Sequence, residues 1–235
     1  MDDFVVLRNL NKQFGPKYAV HGINLNISRG KIIGLLGPNG SGKTTLMKMM
    51  AGVLTPTSGQ IMLEGLPPSW VTKSFVAYLP DKDFLDENQS IEDTFQFFAD
   101  FYQDFSVERA RTLLDQLGVD IRTKIKTLSK GNKEKLQLIL IMSRNASLYI
   151  LDEPIAGVDP AARDYILKTI ISNYNPQATV LISTHLISDI EGILDEVIFI
   201  HQGGVMLYDA VENIRNKQQA SVDAYFREVF ACWGR

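Results

Sequence analysis

The sequence has few of the residues that staple or metallate small folds: one cysteine, Cys232, and three histidines in 235 residues. A single thiol cannot close an internal disulfide, which fits a reducing compartment, and without a Cys/His cluster a structural zinc site is not expected. Long hydrophobic runs are missing as well. The strongest, Leu136 to Met142, spans seven positions, against the roughly 20 that a membrane span requires. Any contact with a membrane is therefore expected to come through another protein. There is no basic excess either: a net charge of −3 supplies no overall attraction to nucleic acid or anionic lipid. The opening stretch, MDDFVV, carries acids where a secretory signal carries bases, so a cytoplasmic chain is expected. Low-complexity tracts and internal repeats are absent. What remains is a globular composition, 45% hydrophobic and 22% charged, in a chain long enough for one large domain or a core with a subdomain.

The opening third reads as short strands separated by turns: FVVLRNL, then GINLNI with Ile23, Leu25 and Ile27 alternating against Asn24 and Asn26, then KIIGLLG and GQIMLEG. Ile32 to Leu36 lacks polar alternation, as a strand buried on both faces does. From Ser90 the period changes. Ser90 followed by Asp93 is a helix-start signal, Val107 to Leu117 carries apolar residues at helical spacing, and another helix is predicted from about Lys130 to Ser143. Strand–helix alternation then returns with SLYILDE, a helix over about 161–173, ATVLISTH, a helix from about Ile187, and EVIFIHQGGVMLY, where Gly203-Gly204 reads as a hairpin turn. The expected architecture is α/β: a parallel-sheet core, an N-terminal antiparallel β subdomain and an inserted helical subdomain near 85–145. The tail from Ala220 to Trp233 spaces Val222, Tyr225, Phe226, Val229, Phe230 and Trp233 along one helical face, which either packs on the core or meets a partner. The expected division is one main domain over 1–219 and a helical tail over 220–235.

The chemistry begins at GPNGSGKTT, Gly37 to Thr45, between an apolar strand and a run of helix formers. Gly37, Gly42, Lys43 and Thr44 fill the pattern G-x-x-x-x-G-K-[ST] in the strand–turn–helix context that gives the pattern meaning. Gly37, Gly40 and Gly42 let backbone N–H groups close around polyphosphate oxygens, and the helix N-terminus adds partial positive charge. Lys43 is placed to reach the β- and γ-phosphates and the Thr44 hydroxyl to ligate Mg²⁺. LYILDEP delivers Asp152 and Glu153 to the carboxyl end of a strand, where ligands of open parallel sheets bind. Asp152 is expected to hold Mg²⁺ through water, and Glu153 to orient and activate the attacking water. A guanine-reading N-K-x-D loop is not present: NKEK at Asn132 has Lys135 where the aspartate belongs.

Together these motifs resemble the nucleotide-binding subunit of an ATP-binding cassette (ABC) transporter, over nearly the whole chain. GPNGSGKTT, which adds Pro38, Asn39, Ser41 and Thr45, is similar to the family's Walker A motif, and LYILDEP to its Walker B motif with the catalytic glutamate. AGVD, ending at Asp159, resembles the D-loop, STH, ending at His185, the switch histidine, and LSKGN at Leu128 to Asn132 occupies the place of the signature LSGGQ. Phe14, 29 positions before Lys43, sits where the family keeps an aromatic that stacks on adenine. The resemblance implies a P-loop ABC ATPase fold with ATP and Mg²⁺ as cofactors. It further implies hydrolysis only as a dimer, identical or mixed, in which one subunit supplies Lys43, Mg²⁺, Glu153 and His185 and the other covers the phosphate with Ser129 and Gly131. The implied partner is an integral-membrane permease on whose cytoplasmic face the chain sits; no nucleic acid partner is expected. The YLPD and LSKG variants resemble bacterial export-type members associated with drugs, peptides or antibiotics.

Two positions depart from the commonest family pattern. Where the family's core-to-helical loop carries a glutamine that touches Mg²⁺ and water, AYLPDKDF has Asp81, still able to meet the metal but shorter and charged. Lys130 replaces the first signature glycine and either adds positive charge near the γ-phosphate or points into solvent. His21 and His201 are expected to be solvated surface histidines. Rival readings are a soluble ABC-type ATPase in DNA maintenance or translation, and a P-loop small-molecule kinase, which leaves LSKGN and His185 without a role.

Overall fold

The computed structural model describes residues 3–231, with all side chains but those of 160–162. The parallel core is a six-stranded sheet in the order β5-β6-β7-β3-β8-β9, from β3 (Ile32–Leu36), β5 (Val76–Leu79), β6 (Leu148–Asp152), β7 (Thr179–Ser183), β8 (Glu196–His201) and β9 (Gly204–Ala210), with only β9 antiparallel. A three-stranded antiparallel sheet, β2-β1-β4, is built from β1 (Asp3–Phe14), β2 (Lys17–Ser28) and β4 (Ser58–Leu63). The expected α/β architecture is thus observed.

The period of two in the core strands sorts their side chains between two apolar layers. Ile33, Leu35, Leu148 and Ile150 face the three-stranded sheet and helix α1 (Lys43–Met50), whose Leu46, Met47, Met49 and Met50 complete that layer. Ile32, Leu36, Tyr149 and Leu151 face the opposite way. There they meet α2 (Ile91–Phe101), α3 (Val107–Asp115), α4 (Lys130–Met142) and α5 (Pro160–Asn173). The phosphate loop thereby leaves the middle of a sheet covered on both sides.

The helix starts follow local chemistry. Ser90 and Asp93 form a reciprocal capping box at α2, and the side chains of Ser106 and Ser129 accept from the Arg109 and Asn132 backbone N–H groups at α3 and α4. Two short elements escaped the sequence reading, β5 and α7 (Val211–Gln218), and the helix expected from Ile187 is a single turn, α6 (Ile187–Ile190), followed by a 3₁₀ turn. The hairpin turn sits one residue earlier than expected. Gln202 and Gly203 hold φ values of 47° and 81°, and Gly204 already pairs with His201 in β9; positive φ at both central residues matches the twist of the flanking strands. His21 is exposed within β2, as expected, whereas His201 is half-buried in an edge-on contact with Phe230. The tail forms α8 (Val222–Ala231), which lays Tyr225, Phe226 and Phe230 against the buried Phe199. Trp233 lies outside the described residues.

Arg144, just beyond α4, ties the helical insertion to the sheet edge. Its guanidinium pairs with Asp104 at 3.0 Å, donates to the carbonyls of Val76 at 2.7 Å, Ser74 at 2.9 Å and Lys73 at 3.0 Å, and stacks over Tyr102. With 3% of the side chain exposed, its removal strands several buried acceptors at once. Arg144→Met should therefore cost about 3 kcal/mol of stability, read as a lower urea midpoint with an unchanged slope; a midpoint within experimental error of the parent would contradict this role.

Candidate functional site

The loop after β3 is wedged between β2 and the β8–β9 turn. Ser41 O accepts from Gly203 N at 2.9 Å, and Gly203 O in turn accepts from His21 N at 2.8 Å. The loop glycines, expected to share one purpose, divide in the structure. Gly42 has a φ of 108° and stands so close to β2 that an added Cβ would lie 2.3 Å from the Ala19 carbonyl oxygen. Only glycine fits there. Gly40 also holds a positive φ, 77°, but an added Cβ would meet nothing within 4 Å, so its constraint is the left-handed backbone and not close packing. Helix α1 begins on the residue after Gly42, so its free N–H groups and its dipole point into the loop.

Lys43 is 7% exposed, and its Nζ donates to the carbonyls of Gly37 at 2.7 Å and Pro38 at 3.2 Å, which holds the charge at the base of the loop. Burial lowers its pKa below the usual lysine value, against the opposing pull of Glu153 and then Asp152. Thr44 Oγ1 donates to Asp152 Oδ1 at 3.1 Å, and Ser183 Oγ donates to the same oxygen at 2.7 Å. Asp152 Oδ2 is buried with no hydrogen-bond partner. Burial raises the Asp152 pKa above the usual carboxylate range; the Ser183 and Thr44 hydrogen bonds oppose this, and the charges of Asp81 and Glu153 add to it. An unpartnered carboxylate oxygen beside a threonine hydroxyl suits a hard divalent cation, which would reverse the electrostatic cost. Thr44 and Asp152 thus fit Mg²⁺, and Asp81 lines the same cleft as Thr44.

Glu153 carries a φ of 52°, an uncommon backbone for a residue with a Cβ. Its N–H is held by Ser183, through the carbonyl at 3.1 Å and the hydroxyl at 3.0 Å, which fixes the carboxylate at the sheet end. His185 Nδ1 stands 2.9 Å from Glu153 Oε2. Ser183, the first residue of STH, has no role in the sequence reading; in the structure it positions both carboxylates. Lys17, also missed, lines the cleft together with Phe14, and its signal is only its place two residues before Ala19.

One cleft of about 590 Å³ therefore collects Phe14, the loop from Asn39 and Gly40 to Thr45, Asp81 and Glu153. Phe14 is 52% exposed, with Lys12 Nζ 5.1 Å from its ring centre. An adjoining cleft holds Glu153, His185 and Lys130. Ser129, Gly131 and Asp159 line neither. Ser129 caps α4 on the exposed surface, and Lys130, 82% exposed beside Glu134, lines the cleft of Glu153 and His185.

The sequence matches the family model for ABC transporter over residues 20–156. It is 32% identical over 213 residues to the lantibiotic transport ATP-binding protein SrtF of Streptococcus pyogenes, covering 88% of this chain and 93% of that one. It is 33% identical over 205 residues to the Nod factor export ATP-binding protein I of Burkholderia orbicola (strain AU 1054), covering 83% and 67%. In three dimensions it matches a solved ATP-binding subunit of an ABC transporter with a TM-score of 0.84 at 25% identity, covering 96% and 98% of the two chains. The cleft generates a direct expectation. Phe14→Ala should weaken ATP binding about tenfold, the loss of one base–aromatic stack, measured by calorimetry; an unchanged affinity would remove Phe14 from the adenine site.

Proposed function

The chain belongs to the ABC transporter family as its ATP-binding and ATP-hydrolysing subunit, and from that premise we propose that it works as half of a dimer. The dimer closes around two ATP molecules and drives a separately encoded membrane permease in the direction of export. The observation that carries this reading is the one-sidedness of the cleft. Lys43, Thr44 and Glu153 line it together, while Ser129 and Gly131, at the N-terminus of α4, do not. Phosphoryl transfer needs donors around the whole γ-phosphate. A second copy, turned head to tail, supplies the missing side with its own Ser129, Gly131 and the dipole of α4. Asp159 then belongs to the contact between copies.

Within each half, the backbone N–H groups of Gly37 to Thr45 and the Lys43 ammonium hold the β- and γ-phosphates. Thr44, Asp152 and Asp81 would hold Mg²⁺, which would supply positive charge to the phosphates. Glu153 orients the attacking water and accepts its proton, and His185, paired with Glu153, keeps that carboxylate aimed. Phe14 stacks on adenine. Residues 1–219 are proposed as the ATPase unit and 220–235 as its appended tail. Among the described residues no helix is long and apolar enough to cross a membrane; the transport named for the relatives supports a peripheral position on the cytoplasmic face of the permease. The docking surface is the apolar groove of about 620 Å³ that runs from Asp81 to the exposed rings of Phe97 and Phe101. Export is supported by the named function of the Nod factor relative.

Glu153→Gln should keep ATP binding and lose turnover by at least about a hundredfold, the scale of one positioned general base. The same variant should shift from monomer to dimer when ATP and Mg²⁺ are added, seen by light scattering. A variant that stays monomeric with ATP, Mg²⁺ and its membrane partner present, or one that turns over normally, would overturn the proposal. Affinity capture in mild detergent should recover an integral membrane protein; recovery of ribosomes or DNA instead would favour the soluble rival.

A further inference from the structure

Among the described residues Asp81 alone lines all three adjoining clefts: the nucleotide cleft with Thr44, the cleft of Glu153 and His185, and the aromatic groove of Phe97 and Phe101. It is also the position that departs from the family's neutral glutamine, and it brings a third negative charge close to Asp152 and Glu153. Three carboxylates around one site repel one another unless a cation intervenes. Lys43 serves Glu153 and Asp152, and a second lysine serves Asp81. Lys48 Nζ lies 3.8 Å from Asp81 Oδ1, with 32% and 34% of the two side chains exposed. Lys48 is four residues beyond Thr44 on α1, so the helix presents both side chains on one face. The candidate metal-binding hydroxyl and the counter-charge of Asp81 therefore stand one turn apart on the same rigid element.

We infer that Lys48 is a positioning residue: it holds the Asp81 carboxylate on the groove side of α1 and thereby competes with the cation site at Thr44 and Asp152 for that charge. This rests on the proposed reading that ATP and Mg²⁺ occupy the cleft. The reason is electrostatic. A carboxylate paired with an ammonium contributes less negative potential to the cation site than the same carboxylate left alone, and a half-exposed pair at this distance supports a modest effect rather than an on–off one. Lys48 also lines the aromatic groove.

The test reads binding rather than turnover. A fluorescent ATP analogue is titrated onto the full chain in EDTA and then across a Mg²⁺ series, for the parent, Lys48→Gln, Lys48→Arg, Asp81→Asn and the double variant, with thermal unfolding as a check on folding. In Lys48→Gln the Mg²⁺ concentration for half-maximal tightening should fall about threefold. Lys48→Arg should retain the parent value, and the shift should vanish when Lys48→Gln is made in the Asp81→Asn background. An unshifted midpoint in Lys48→Gln, or an equal shift in both backgrounds, overturns this inference alone. A parent chain whose ATP affinity ignores Mg²⁺ overturns both the inference and the reading beneath it.

Discussion

The Asp152 carboxylate is the joint on which the site depends. It ends β6, receives hydrogen bonds from Thr44 at the start of α1 and Ser183 at the end of β7, and is 1% exposed. Burying a carboxylate is costly unless its oxygens are paired, and here one oxygen is doubly served while the other has no partner. The arrangement stores an electrostatic deficit that a divalent cation would relieve. The same Ser183 that binds Asp152 also fixes the strained backbone of Glu153. The metal candidate and the base candidate are thus held by one hydroxyl, and displacement of either strand end would misplace both.

A rigid half-site is only half of a phosphoryl-transfer site. The sheet, α1 and the β8–β9 turn build a firm floor under a triphosphate, because Gly42 and Gly203 let three backbone segments touch. The residues resembling a signature motif lie at the end of a helical insertion whose link to the sheet edge runs through Arg144. In the proposed dimer the floor holds one nucleotide while the insertion presents its signature to the other copy's nucleotide. Interfaces that close only when ligand is present draw their energy from that ligand's differential binding, which here is the polyanion itself.

Asp81 shows how a departure from a family pattern can be read physically. A neutral amide needs hydrogen-bond partners; an aspartate needs a counter-charge, and α1 offers Lys48 at the right turn. The Lys48–Asp81 pair joins the phosphate-binding helix to the loop that borders the aromatic groove.

Local chemistry was legible in the sequence wherever it repeats over short distances. Alternation in β2, unbroken apolarity in β3 and β6, the Ser90–Asp93 box at α2 and the glycine-lysine loop are all set by neighbours within a few residues, so the α/β class and the positions of Lys43, Thr44, Asp152 and Glu153 could be placed before any fold was known. The turn was misread by one residue because the strand register, not the glycine pair, chose Gln202 and Gly203. β5 and α7 were missed because four and eight residues carry too little period to read. Only the tertiary structure decided that Gly42 is pressed against β2 while Gly40 stands in open space, that Ser183 serves two carboxylates, that Lys48 faces Asp81, that Arg144 anchors the insertion, and that Ser129 and Gly131 do not line the cleft of the phosphate loop. Each of these joins groups far apart in the chain or sets them apart in space, and such contacts follow from how layers pack, which no local pattern specifies.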